Sequence, residues 1–376
     1  MPQLSRKKVL RRSLAVLAGV MTLNSYALAA DTIKFAIIQP MTGPQTQYGD
    51  QIRAGALTAI EAVNAAGGIR GKQIEPLLID DGCEPKQAVP AANQAANAGA
   101  KFAVAHGCSG TMIPAVPVYE SEGIVTITPG ATSPAVTDTR PGHFIFRTIG
   151  RDDQQGPYAA QYVLTHVKPQ KTAIIHDKQT YGAGIAAQVK ATLEKGGANI
   201  LIYEGINPGD SDYSALISKI KSAGIDFIYF GGYHPELGLL LRQANEQGLK
   251  AQFMGPEASA NKDLVAIAGA AIDGLLVTLP SDFTKKTGNE AIVKAYQDAK
   301  RDPDGAFTMP AYAAVEVLTT SIEAVGDDSE AVADYMHANT FQTSIGEVSF
   351  DSKGDLKAFE FGIFKWDRNG NKTQVQ

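Results

Sequence analysis

The chain has little cysteine, tryptophan or histidine, and no long apolar run after its first thirty residues. Among 376 residues there are two Cys, one Trp and six His. His106 and His176 end apolar runs, His234 opens a helical pattern, and His143, His166 and His337 look peripheral. They do not cluster in the sequence, so each reads as a satisfied or solvated side chain, and no metal site and no cofactor is expected. No later stretch approaches the roughly 20 apolar residues that a membrane-spanning helix needs. Basic residues do not outnumber acidic ones (34 against 39, net −5), which argues against nucleic acid or an anionic membrane as partner. There is no low-complexity segment and no block of like charge.

What is present begins at the N-terminus. Arg6, Lys7, Lys8, Arg11 and Arg12 form a basic start without an acidic residue, residues 14–23 are a short apolar run, and Ala27-Leu28-Ala29 has the small-x-small pattern of a cleavage site. Together they predict a secretory signal peptide over 1–30. Arg11-Arg12 leaves twin-arginine export open beside the Sec route. Leu17-Ala18-Gly19-Val20 nearly spells a lipoprotein box, but Val20 stands where the lipidated cysteine would be. The expectation is therefore a periplasmic, unanchored protein starting near Ala30 or Asp31. The five N-terminal cations leave with the signal, so the remaining 346 residues carry about −10. That length suits two domains.

The two cysteines, Cys83 and Cys108, each follow an apolar run. An even count in an exported protein suggests a disulfide, worth about 3 kcal/mol on the chain-entropy account. Adjacent parallel strands would place both exits side by side. Free thiols as metal ligands are the alternative, and no nearby His or Asp spacing favours it.

Short apolar runs alternate with helical periodicity throughout. Strands are predicted at 33–38, 74–79, 102–105 and 124–127, with helical patterns near 52–63, 86–98 and 110–122. The pattern restarts near 147–151, with strands at 172–176, 200–203, 227–230, 252–254 and 275–279. Helices fit 152–166, 182–195, 213–222, 235–247 and 259–268. Two further helices (289–300, 310–325) and strand-like 346–350 and 359–366 follow. This βαβα order predicts an α/β fold with parallel sheets covered on both faces. The long tail implies several linkers between two doubly wound lobes. The expected division is 31–150 with 281–358 for lobe 1, and 151–280 with 359–376 for lobe 2.

Ligands of open parallel sheets bind at the carboxyl ends of strands. The loops there are rich in Ser, Thr, Tyr and Gly and poor in basic residues: Gly107-Cys108-Ser109-Gly110, Thr128-Pro129-Gly130-Ala131-Thr132, Asp177 to Gly182, Gly231-Gly232-Tyr233, and Gly255-Pro256-Glu257. Hydroxyls and helix-start N–H groups suit a carboxylate, Glu257 suits an ammonium, and tyrosines give an apolar face with a polar tip. The pattern fits a small zwitterion with an apolar tail. Other readings compete. Ser109 and Thr132 could be plain N-caps. Gly182-Ala183-Gly184-Ile185-Ala186-Ala187 with Glu204 matches a dinucleotide fingerprint, but Gly182 lies five residues past its strand. Gly107-Cys108-Ser109-Gly110-Thr111 resembles a nucleophile elbow without its last glycine, which would make the protein an exported hydrolase. Asp80-Asp81 reads as a strand-end pair capping the helix near Pro85, and Trp366 as packing.

Several stretches resemble the leucine/isoleucine/valine-binding proteins of bacterial branched-chain amino-acid ABC transporters. They include Gln47-Tyr48-Gly49-Asp50, Gly67-Gly68-Ile69-Arg70-Gly71, Asp80-Asp81-Gly82-Cys83-Glu84-Pro85, His106-Gly107-Cys108-Ser109, Phe230-Gly231-Gly232-Tyr233-His234-Pro235-Glu236 and Lys353-Gly354-Asp355. The resemblance implies two lobes of the type I periplasmic-binding-protein fold, joined by three crossovers and closing over an amino acid. It implies a non-enzyme that hands its ligand to a membrane ABC permease, and a monomer. It implies that Ser109, Thr132 and backbone groups of Gly130 and Ala131 hold the ligand's α-groups. Tyr233 and Glu257 would meet the ammonium, and Tyr48, Tyr181 and Phe307 would wall the side chain near a Cys83–Cys108 bridge. Gly130, where such proteins often carry alanine, Gly110-Thr111 and Thr308 depart from the family pattern.

Overall fold

The computed structural model describes residues 32–139 and 142–376; the expected signal peptide lies outside them. The first half alternates as the apolar periodicity dictates: β1 (Thr32–Gln39), α1 (Thr46–Ala65), β2 (Gln73–Asp80), α2 (Pro85–Asn97), β3 (Phe102–Ala105), α3 (Ser109–Glu122), β4 (Val125–Thr128), a short α4 (Ala135–Asp138) and β5 (Ile145–Arg147). These strands form one parallel sheet in the order β2-β1-β3-β4-β5. Alternate residues of β1 face opposite cores. Phe35 and Ile37 pack with Phe102, Val104 and Ile127, whereas Ala36 and Ile38 face the alanine-rich surface of α2 and Met112 and Tyr119 of α3. A strand buried on both faces is why the run reads as continuously apolar.

The second half repeats the scheme: α5 (Asp152–Tyr162), β6 (Thr172–His176), α6 (Thr180–Lys195), β7 (Ile200–Gly205), α7 (Ser214–Ala223), β8 (Phe227–Gly231), α8 (His234–Glu246), β9 (Gln252–Gly255), α9 (Lys262–Ala268) and β10 (Leu276–Pro280). The chain then returns to the first sheet with α10 (Glu290–Asp298), α11 (Thr308–Val325), α12 (Ser329–Ala338) and the hairpin β11 (Thr340–Thr343) and β12 (Gly346–Ser349). Val315, Leu318 and Ile322 of α11 complete the Phe35–Phe102 core. The last strands, β13 (Phe361–Trp366) and β14 (Lys372–Gln374), rejoin the second sheet. Its order is β14-β13-β10-β9-β8-β6-β7, with β13 antiparallel to β10. The chain thus passes between the sheets three times: after β5, after β10 and between β12 and β13. Among the described residues no helix is long and apolar enough to cross a membrane.

A buried ion cluster joins two of these passages. Arg147, fully buried, donates from Nε to Asp355 Oδ1 (2.5 Å), from Nη1 to the carbonyls of Ala131 (2.9 Å) and Ser133 (3.2 Å), and from Nη2 to Thr137 Oγ1 (2.8 Å). Arg151 donates to Asp355, Asp138 and Asp153. A buried guanidinium tolerates loss of water only when its donors are met. Here they are met by the Lys353-Gly354-Asp355 turn and the loop after β4, so the cluster fixes that loop.

Three expectations are corrected. Asp80 and Asp81 do not cap α2, whose N-cap position, Glu84, makes no side-chain cap bond. Asp80 instead accepts from Met41 N (2.8 Å), Thr42 Oγ1 (2.6 Å) and Gly82 N (2.9 Å), tying down the loop after β1. Asp81 lies inside lobe 1, against His106 Nδ1 (2.6 Å), whose Nε2 meets the Tyr119 hydroxyl (2.7 Å). The cysteines do form a disulfide, with Cα atoms 5.6 Å apart. However, β2 and β3 are not adjacent; they flank β1, and the bridge spans the space beyond its end. The histidines do not all stand apart either: His143 and His337 stack, ring centroids 5.3 Å apart.

Candidate functional site

The carboxyl ends of the parallel strands of the two sheets face each other, and the loops there leave a small space of about 10 Å³ between buried side chains. That is the room of about one water, so an amino acid enters only when the facing loops part. Tyr48, Gly107, Ser109, Gly130, Tyr181, Tyr233, Glu257, Ala258 and Phe307 line it. Ala131 and Thr132 are fully buried beside it without lining it. A larger hollow of about 500 Å³ lies near Asp50, Arg53, Lys262, Asp302 and Lys372. Its charged side chains are largely spent on ion pairs such as Arg53–Asp50 and Lys262–Asp302, so the small space, lined by buried rings and the buried Glu257 carboxylate, is the better-built site.

Each lining residue is placed by an element end. Ser109 opens α3, which has no side-chain cap. Its Oγ accepts from Ser133 N (3.1 Å), leaving the hydroxyl proton to be donated. With the first N–H groups of an uncapped helix nearby, this corner suits an anion. Ser109 is thus the first residue of the helix rather than its N-cap. Gly130 passes so close to the neighbouring loop that a Cβ there would sit 2.8 Å from the Gly107 carbonyl oxygen; an alanine would force that loop to shift.

Across the space, Glu257 begins a short 3-10 turn after β9. Gln155 Nε2 donates to Glu257 Oε2 and to Thr278 Oγ1 (2.6 Å). Glu257 Oε1 has no hydrogen bond. Asp152, at the start of α5, is fully buried with neither carboxylate oxygen hydrogen-bonded. Burial, with Gln155 and Tyr181 opposing it, raises the Glu257 carboxyl to about pH 7. Burial and then the neighbouring Glu257 charge hold Asp152 well above the usual carboxylate range. Thr132 Oγ1 faces the Asp152 carboxylate and the Tyr181 hydroxyl faces Glu257, both buried and both short of good hydrogen-bond geometry. Buried polar groups nearly always have partners. Unmet carboxylate oxygens and hydroxyls together call for a ligand that brings both donors and acceptors.

Four rings form the apolar side. Phe307 meets Tyr48 edge-on (5.7 Å between centroids), Tyr48 meets Tyr233 (5.6 Å), and Tyr233 meets Tyr181 (5.2 Å). The Cys83 sulfur lies 3.8 Å from the Tyr233 hydroxyl. Tyr48 comes from the first sheet's α1, yet its hydroxyl reaches His234 Nδ1 (2.6 Å) and donates to the Ala258 carbonyl of the second half. Burial lowers the His234 pKa to about 4, so this contact uses a neutral imidazole.

The competing sequence readings find little support. Gly182 lies within α6 and not in a strand–helix turn. His106 is bonded to Asp81 and Tyr119, so it is not the base of a Ser109 nucleophile. Sequence reasoning missed Asp152, Gln155, Gly107, Ala258 and His234. Asp152 gave no signal, because an acid in a first helical turn is ordinary dipole complementarity.

The periplasmic binding protein family model matches residues 32–371. The leucine-, isoleucine-, valine-, threonine- and alanine-binding protein of Pseudomonas aeruginosa is 51% identical over 353 residues, covering 94% of each chain. The Leu/Ile/Val-binding protein of Escherichia coli K12 is 47% identical over 364 residues, covering 96% of this chain and 98% of that one. The crystal structure of a leucine-binding protein from Thermotoga maritima superposes with a TM-score of 0.84 at 25% identity, over 92% of this chain and 98% of that one.

Proposed function

The chain belongs to the periplasmic binding protein family, and on that premise we propose that it captures aliphatic L-amino acids in the periplasm and delivers them to an ABC permease. Leucine, isoleucine and valine are the principal ligands, as in the names of its relatives. The P. aeruginosa relative's name adds threonine and alanine, so a smaller or more polar side chain belongs in the assay. The observation that carries the reading is the pairing, around one small space, of the buried Glu257 carboxylate with the Ser109 and Tyr181 hydroxyls and an aromatic wall.

In this reading Ser109, Thr132 and the backbone of Gly130 and Ala131 take the ligand carboxylate from lobe 1. Glu257 and Asp152 take the ammonium, Tyr233 flanks it, and Tyr48, Tyr181 and Phe307 face the aliphatic chain. Residues 31–150 with 281–358 move against 151–280 with 359–376. A buried isobutyl group of about four carbons contributes roughly 3 kcal/mol at about 0.8 per carbon. That alone is too weak for a scavenging receptor, so charge-assisted hydrogen bonds in the dry, closed cleft supply the remainder. Because ligand groups are divided between lobes, closure is favoured only when ligand is bound. The permease can then tell loaded protein from empty by shape. A neutral amide would leave Glu257 without a cation in a buried site.

The test is calorimetric titration of ligand-stripped protein with leucine, isoleucine, valine, threonine, alanine, glutamate and a short-chain amide. One-to-one micromolar binding of the aliphatic three supports the reading. Binding of the amide but none of the amino acids overturns it.

A further inference from the structure

We propose that His143, Glu330 and Asp334 form a site for one divalent cation of the zinc type, at the end of lobe 1 opposite the ligand cleft. His143 precedes β5, whereas the cleft lies beyond the strands' carboxyl ends, so the two sites do not share residues. Glu330 and Asp334 are four residues apart on α12 and therefore lie on one face of it. Among the described residues, these three are the one group whose possible ligand atoms all lie within 4.8 Å of one another.

The donor set carries the assignment. His143 Nε2 lies 3.3 Å from Asp334 Oδ1 and 3.5 Å from Glu330 Oε1 and makes no hydrogen bond with either, so all three ligand atoms face one point. Magnesium and calcium take oxygen ligands rather than imidazole. One imidazole and two carboxylates therefore fit zinc, nickel or copper, with a fourth position left for water.

The imidazole is held from several sides. The backbone N–H groups of His143 and Phe144 both donate to the Glu120 carboxylate of α3 (3.0 Å each). The ring lies between His337, stacked at 26°, and Phe144, edge-on at 5.1 Å. His337 Nε2 faces the His143 carbonyl oxygen at 3.2 Å. Such outer contacts fix a ligand's orientation before the metal arrives. The two carboxylates are about two-thirds exposed (67% and 69%), so a cation reaches them from solvent. A bound cation would tie α12 to the segment entering β5.

The experiment uses the untagged mature protein, cleared of metal with a chelator and titrated with Zn²⁺ by calorimetry and by thermal unfolding. The expected result is one equivalent bound and a raised Tm. Both effects should weaken at least about tenfold in His143→Ala and in the Glu330→Gln/Asp334→Asn double variant, with leucine binding unchanged in each. Zinc binding that is absent, or that survives His143→Ala, overturns the site. Equal binding of Mg²⁺ or Ca²⁺ overturns the class of cation. Failure of leucine binding in wild type would count against the transport reading alone.

Discussion

Amino-acid binding should release a proton near pH 6. Without ligand, burial keeps Glu257 protonated up to about pH 7, and burial with the Glu257 charge raises Asp152 beside it as well. An ammonium between them favours the ionised form and lowers the pKa of the pair, so one proton leaves as ligand enters. The sign follows. Affinity is weakest where the free protein still holds that proton, rises with pH, and levels off above about pH 7. If the bound carboxyl returns to an ordinary value near 4.5, the apparent Kd should be about 30-fold weaker at about pH 5.5 than at about pH 8, or ~2 kcal/mol. Calorimetry at about pH 6, in two buffers of different ionisation enthalpy, should count roughly 0.9 proton released, falling towards zero at about pH 8.5. Asp177 also titrates at about pH 7, but it does not line the space and its carboxylate accepts from the backbone and side chain of Gln179. Glu257→Gln should therefore weaken binding at high pH and reduce the pH dependence, and the Glu257→Gln/Asp152→Asn double variant should abolish it. A Kd that is flat between pH 5.5 and 8 in wild type, or a pH dependence that persists unchanged in the double variant, would refute the reasoning.

Three further outcomes are expected. Tyr48→Phe removes the hydroxyl that reaches His234 and Ala258 across the cleft; ligand affinity should fall by about 1–2 kcal/mol while urea unfolding of the free protein changes little. Asp355→Ala leaves Arg147 buried without its anion and should destabilise the fold by about 3–5 kcal/mol in the same assay; a loss under about 1 kcal/mol would mean that Arg147 finds water. Replacing both Cys83 and Cys108 by alanine opens a loop of 25 residues and should cost about 3 kcal/mol of stability, with weaker ligand binding through the nearby Tyr233.

Much of this was readable from local pattern. Strands such as Phe102–Ala105 and Thr172–His176 coincide with their predicted limits because short, wholly apolar runs between glycine-rich turns have few other uses. Ser109, Gly130, Tyr181, Tyr233 and Glu257 stood out because parallel sheets present their strand ends together, whereas Phe307 was reached only through the family resemblance. Pairings distant in the chain left no trace. Nothing local says that β13 runs antiparallel beside β10, that Asp355 neutralises Arg147 from 208 residues away, or that Glu330 and Asp334 meet His143. Asp80 and Asp81 looked like caps because their partners, Met41, Thr42 and His106, are brought in only by the sheet. The short α4, β5, α12 and β11 lacked length or periodicity enough to stand out.

The order in which the elements occur has a consequence for biogenesis. The first sheet lacks part of its core until α11 and α12 emerge, and the second lacks β13 until residue 366 is made. Neither half of the nascent chain can therefore finish a cooperative unit while translation continues, and such long-range pairing is slow to form. A polypeptide built this way stays threadable until its last strands arrive, a property that the Sec route, which passes unfolded chains, would use.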